Sequence, residues 1–169
     1  MELRTARLLL RRPRAEDVVP MHAVMSSPKA MRYWSRLPHE NLAVTEAWFP
    51  DALLNQGTEK DEWVIVHDGR VVGYVGIWKM PEFGFILHPD VWGRGLGREA
   101  AAAFIDHAFA THPTDRLTAD VDPRNMASLK LLKGLGFVET GAAKNTFKLG
   151  GEWCDSVYLA LFRTDTTLP

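Results

Sequence analysis

The chain has little of several things that would narrow its reading at once. It holds one cysteine, Cys154, in 169 residues. A single thiol closes no intramolecular disulfide and makes no metal site alone. There is no basic excess, since 20 Lys and Arg stand against 21 Asp and Glu for a net charge of −1. Attraction to nucleic acid or to an anionic membrane rests on many basic contacts releasing counterions, so neither partner is expected. Long apolar runs are missing too. The opening MELRTARLLLRRP has too short an apolar core for a signal peptide. No run of roughly 18 apolar residues exists to span a bilayer. The expectation is a cytoplasmic protein. Internal repeats and low-complexity linkers are also lacking.

What is there is ordinary globular material. Hydrophobic residues make 46 % and charged residues 24 %, the balance of a soluble domain. The length suits one domain over residues 1–169, enough to bury a sizeable core. RLLLRRP reads as a first strand stopped by Pro13, and AEDVVPMHAVMSSP as a helix ended by Pro28. ENLAVTEAWFPDALLNQ has helical spacing interrupted by Pro50. EWVIVHDGRVVGYVGIWKM is two β-rich runs around Asp68-Gly69, a hairpin signal because both turn positions need positive φ. EFGFILHP is a third strand.

A helix from about Leu96 to Thr111 follows, with Leu96, Ala100, Phe104 and Ala108 on one face. DRLTADVDP is another strand, ended by Pro123. NMASLKLLKGLGF is a short helix that Asn125 can cap and Gly134 or Gly136 can end. A last antiparallel pair surrounds Gly150-Gly151. The order predicts a mixed α/β sheet, largely antiparallel, flanked by helices.

The stretch PDVWGRGLGREAAAAF carries the chemistry. Three alternating glycines enter a helix, although glycine costs about 1 kcal/mol against alanine inside one. A helix N-terminus offers free N–H groups and partial positive charge. Glycines there let a phosphate approach the backbone. Gly93, Gly95 and Gly97 suit that use, and Arg94 and Arg98 add charge. The dinucleotide and Walker fingerprints do not fit: the first needs a glycine where Arg98 stands, and the second needs Gly-Lys-Ser/Thr. A turn that merely starts a helix reads the same way on these residues alone.

The neighbouring stretches carry a resemblance. LHPDVWGRGLGREA is similar to the pyrophosphate-binding motif of the GNAT N-acetyltransferase superfamily. That motif has Gln or Arg, two residues, glycine, one residue, then glycine or alanine. Here Trp92 departs at the first position while Gly95 and Gly97 match. The Trp-Gly-x-Gly form resembles the RimJ/RimL subgroup, which acetylates protein N-termini. TARLLLRRP, EFGFILHP and DPRNMASLKLLKGLGF agree with that subgroup. The resemblance covers nearly the whole chain and is most specific over residues 82–137. It implies acetyl-CoA as donor, no metal, and a central sheet splayed at the acetyl-CoA site.

Carried onto this chain, the resemblance has the backbone of Trp92, Gly93, Arg94, Gly95, Leu96, Gly97 and Arg98 hold the pyrophosphate. Phe85, Ile86 and Leu87 would run beside the pantetheine arm, Asn125 would hydrogen-bond it, and Ser128 would lie near the sulfur. An amine attacks the thioester, and a backbone N–H around Leu87 would hold the oxyanion. Glu82, directly or through a water, is the candidate base. A solvated carboxylate at a strand end is its plainer reading. The tyrosine slot used by many members to protonate the leaving thiol holds Leu132, and Ser128 would serve instead. A first-turn serine bonded to backbone and a plain N-cap are the structural readings of Ser128 and Asn125. His88 and Cys154 are expected to be structural.

Most of Trp34, Trp48, Trp78 and Trp153 are expected in the core, with Tyr33 and Trp34 lining an acceptor tunnel. The acceptor is a primary amine: a protein N-terminal α-amine, or a polyamine, amino acid or antibiotic. From Ser26 to Glu62 six acidic residues face four basic ones, which does not separate these. A non-catalytic acyl-CoA sensor is the alternative outside enzymes. The resemblance also implies a possible homodimer through the C-terminal strands.

Overall fold

The computed structural model describes residues 1–164. Its frame is one sheet of eight strands: β1 (Glu2–Arg4), β2 (Leu8–Arg11), β3 (Asp61–His67), β4 (Arg70–Lys79), β5 (Glu82–Leu87), β6 (Arg116–Val121), β7 (Val138–Leu149) and β8 (Glu152–Phe162). They lie in the order β1-β2-β3-β4-β5-β6-β8-β7. Every pair is antiparallel except β5–β6. The mixed, largely antiparallel α/β sheet expected from the sequence is the sheet observed.

Helices cover both faces. α1 (Val18–Met25), α2 (Pro28–Met31) and α3 (Leu42–Phe49) pack on one. α4 (Leu96–Thr111) and α5 (Met126–Gly134) pack on the other. A central strand covered on both faces loses the apolar–polar alternation of a half-exposed one, which is why β3 reads WVIV without interruption. Trp63 and Ile65 enter the α4 side with Ala101 and Phe104, and Val64 enters the α1 side with Met21 and Phe49. Phe83 stacks between Phe104 at 5.8 Å and Phe137 at 5.9 Å. Each such side chain contributes about 1.5–3 kcal/mol by leaving water.

Local chemistry sets the turns. Asp68 and Gly69 both have positive φ, 49° and 75°, as the Asp-Gly hairpin requires. Pro28 does not end the first helix as the sequence suggested. It opens α2, with the Ser27 hydroxyl accepting from the Ala30 N–H, because a proline is tolerated in a first helical turn. Two of the four tryptophans expected in the core, Trp78 and Trp153, are 54 % and 56 % exposed. The fully buried one is Trp63, whose indole N–H is met by Asp61 at 2.6 Å.

One irregularity shapes the molecule. β5 and β6 meet at Glu82 and Thr118, with the Thr118 N–H donating to the Pro81 carbonyl at 2.9 Å, and then part. The β4–β5 ladder is phased by His88 N–H to Val72 carbonyl at 2.7 Å. Paired residues alternate between bonded and non-bonded in such a ladder. With Gly73 opposite Leu87 and Val75 opposite Phe85, the Phe85 and Leu87 backbone groups therefore turn away from β4, into the gap.

Candidate active site

The glycine turn closes the wide end of that gap. Beyond β5 a short 3-10 turn, Pro89–Val91, leads to Trp92, and α4 begins at Leu96 with Gly95 as its N-cap. Gly93 and Gly95 take φ of 72° and 76°, which side chains rarely adopt. A Cβ at Gly93 would meet nothing within 4 Å, so backbone there lies bare. Leu96 is fully buried and pins the first turn of α4 to the core. The N–H groups of that turn have no intrahelical partner.

The turn is held from behind. Arg7 donates to the Arg94 carbonyl at 2.7 Å and to Glu99 Oε2 at 2.7 Å. Glu99 Oε1 accepts from the Thr5 hydroxyl at 2.6 Å and the Arg7 N–H at 2.9 Å. The Thr5 hydrogen bond first, then those of Arg7, hold the Glu99 carboxyl below its ordinary value. Arg94 and Arg98 are exposed. Gly97 sits where a Cβ would lie 3.4 Å from Leu131 Cδ1. The departure at Trp92 has a physical use: its indole N–H donates to the free Leu87 carbonyl at 2.9 Å, and the Lys29 ammonium lies 5.4 Å from its ring.

Across the gap, beyond the far end of β6, stand Asn125 and Ser128. Asn125 Oδ1 accepts from the Ser128 N–H at 3.2 Å, which makes it the N-cap of α5 and leaves its two amide hydrogens for another partner. Both side chains are half-buried. Leu132 is 2 % exposed and belongs to the core, so no phenol replaces it from that position. Nearby, Asp122 and Glu152 both take Arg124, at 2.7 and 2.5 Å. The Arg124 hydrogen bond lowers the Asp122 carboxyl. The same guanidinium lies 5.7 Å from the Tyr33 ring, so Tyr33 belongs to the β6–α5 corner.

Trp34 goes elsewhere, over the sheet face that α1 and α3 cover. It meets Tyr74 edge to face at 5.9 Å and lies 3.9 Å from where a Cβ of Gly84 would stand. Tyr33 and Trp34, adjacent in sequence, thus serve different neighbourhoods. Glu82 is half-buried on β5, on the face of Gly84 and Ile86.

Two features escaped sequence reasoning. The first is Glu62, 4 % exposed, with Oε2 buried and without a hydrogen-bond partner. Burial pushes its carboxyl up to about 8. A signal existed, since alternation through EWVIV puts Glu62 on the face of Val64 and Val66. The second is Asp61, whose Oδ2 accepts from His107 at 3.0 Å and His112 at 2.8 Å, while Oδ1 accepts from Arg12 at 2.5 Å and Trp63 at 2.6 Å. Burial would raise this carboxyl, but hydrogen bonds from His112 and Trp63 with the Arg12 charge bring it below its ordinary value. Asp61, His107 and His112 lie close enough together to hold a metal ion. With Arg12 on the same carboxylate, they are accounted for as a hydrogen-bonded node.

A sheet splayed beside a glycine turn at a helix N-terminus, with a capping asparagine across the gap, defines a class of acyl-transferring proteins. The family model described as "Acetyltransferase (GNAT) domain" matches residues 7–138, and the chain belongs to that family and is an acyltransferase. It is similar to the spermidine N(1)-acetyltransferase of Escherichia coli, 24 % identical with 88 % of this chain and 82 % of the relative covered. It is 39 % identical to the [ribosomal protein uS5]-alanine N-acetyltransferase of E. coli over 50 % of this chain and 43 % of that one. Among solved structures, the Salmonella typhimurium acetyl transferase that modifies the N-terminal serine of ribosomal protein L7/L12 superposes with a TM-score of 0.85 at 18 % identity, covering 96 % of this chain and 99 % of that one.

Proposed function

We propose that the chain transfers an acetyl group from acetyl-CoA to the α-amine of a protein N-terminus, in the manner of the RimJ/RimL subgroup. The observation that carries the donor is the positive-φ backbone at Gly93 and Gly95, bare at Gly93, beside a β5 edge whose Phe85 and Leu87 groups turn away from β4. The residues suit the group: N–H groups at the start of α4 and the charges of Arg94 and Arg98 for the pyrophosphate, an amide edge for the pantetheine arm, and the Asn125 amide across the gap. Acetyl-CoA supplies an activated thioester. Leu87 donates its N–H to the carbonyl oxygen as charge grows there, Ser128 offers a hydroxyl to the departing sulfur, and Glu82 stands on the acceptor side of β5.

An α-amine suits a site without a strong exposed base. About a tenth of α-amines are neutral at pH 7, against about one in a thousand lysines. The uS5-type relative, 39 % identical over half of this chain, supports this acceptor, and the spermidine relative, 24 % identical over 88 % of it, supports a polyamine. Acetyl-CoA is expected to raise the melting temperature, and Gly95→Leu to abolish that rise. Thiol release measured against N-terminal peptides, polyamines and amino acids then decides the acceptor. The proposal fails if peptides release no thiol.

A further inference from the structure

Glu62 has the marks of a group built for a charged ligand. Across three strands it shares a row with two glycines: Glu62 is opposite Gly76, and Gly76 is opposite Gly84. Strands lie about 4.8 Å apart, so the row runs about 10 Å from the Glu62 backbone to β5, the strand that borders the gap. Both intervening positions lack side chains. Gly76 has no choice, because a Cβ there would lie 2.4 Å from the Asp61 carbonyl. Gly84 is not crowded by backbone: a Cβ there would be in ordinary contact with the Trp34 ring at 3.9 Å, so that ring stands over the β5 end of the row.

Aromatic rings wall the row. Trp34 and Trp48 approach Tyr74 at 5.9 and 6.1 Å, and rings attract ammonium groups through their faces. On the other side a cleft of about 440 Å³ is lined by residues 55–60 with Trp78 and Lys79. Its Gln56 accepts the Glu62 N–H at 2.9 Å.

We propose that Glu62 receives the ammonium group of the acceptor and takes one proton from it before attack. This rests on the acetyl-transfer reading above. The nitrogen passes one proton to the Glu62 carboxylate, directly or through one water, and becomes the free amine. It then forms the C–N bond as the C–S bond breaks. The second proton leaves on collapse and goes to the departing sulfur, and Glu62 returns its proton to solvent. The fit is closest for an α-ammonium, which titrates at about 7.7–8.0, beside a carboxyl that burial holds at about 8. The charged and titratable groups around Glu62 are Lys60 and Asp61 on its own segment, Arg12 just past β2, Tyr74 from β4, and Arg36 beyond Tyr74; Glu82 shares the face of Gly84 on β5, two residues away.

The test compares the wild type with Glu62→Gln, Glu62→Asp and Gly84→Val, using thiol release from acetyl-CoA and an N-terminal serine peptide. Glu62→Gln should keep the acetyl-CoA melting shift, lose at least 100-fold in kcat/KM, and lose the rising limb of kcat near pH 8 at saturating peptide, where the free amine's own titration does not enter. Glu62→Asp should recover part of the rate with a shifted limb. Gly84→Val should raise KM for the peptide at least tenfold and leave the limb in place. Glu62→Gln within threefold of the wild type, with an unchanged pH profile, overturns this inference and leaves the acetyl-transfer reading standing. A wild type that binds acetyl-CoA but acetylates no amine overturns both.

Discussion

Asp61 and Glu62 are neighbours in the chain and opposites in chemistry. Strand alternation sends Asp61 to the α4 side, where four donors surround it, and Glu62 to the α1 side, where none does. The first stays ionised and the second resists ionisation, because burying a charge is costly unless it is paired. This has a measurable sign. Between pH 4.5, the ordinary value, and about 8, the unfolded chain has released the Glu62 proton while the folded chain keeps it. Stability then falls as pH rises, by about 1.4 kcal/mol per unit for this group, and the loss levels off above pH 8. Glu62→Gln removes that slope. In urea titrations at pH 5 and pH 8, the variant should gain on the wild type as pH rises, and parallel curves would refute the assignment.

At the scale of elements, β4 and β5 divide the work. β4 is bound on both edges, and its glycines let it sit close: a Cβ at Gly73 would lie 2.0 Å from the Ile86 carbonyl and one at Gly76 2.4 Å from the Asp61 carbonyl. Gly76→Ala should cost more than about 2 kcal/mol, by analogy with forced overpacking, and lower the melting temperature accordingly. β5 is bound on one edge and free along most of the other. The parting from β6 was anticipated from resemblance, but the ladder phase that turns the Phe85 and Leu87 groups outward rests on the register, which a string of residues does not display. The glycine turn was readable because positive φ has a residue signature. The Trp92 side chain was not, since its partner is a carbonyl that only the splay sets free.

For the whole molecule, the Asp61 node matters most. It joins the end of β2 through Arg12, β3 through Trp63, and α4 with the loop after it through His107 and His112, tying one helical layer to the sheet. Asp61→Ala would leave Arg12 and three rings, Trp63, His107 and His112, without their acceptor. A loss of about 3–5 kcal/mol is expected, measured by denaturant unfolding at pH 7. Because the folded carboxyl is held below its ordinary 3.8, its stabilisation is complete above that value and fades as pH falls through the folded value. Among the described residues no helix is long and apolar enough to cross a membrane. Residues 165–169 lie outside the described residues.

The sequence by itself determined the elements and the residues proposed for the donor side of the site. Hydrophobic period, Asp-Gly and Gly-Gly turns, the Asn125 cap and the alternating glycines are local, and local conformation follows from neighbours a few residues away. Tertiary structure alone brought together the residues proposed for the acceptor side. Glu62, Gly76 and Gly84 form one row only through strand register, and Asp61, His107 and His112 meet only because α4 packs on β3. Whether a carboxylate is a solvated surface charge or a buried proton acceptor depends on what the fold brings around it, and its own neighbours in the chain, Asp61 and Trp63, face the other way.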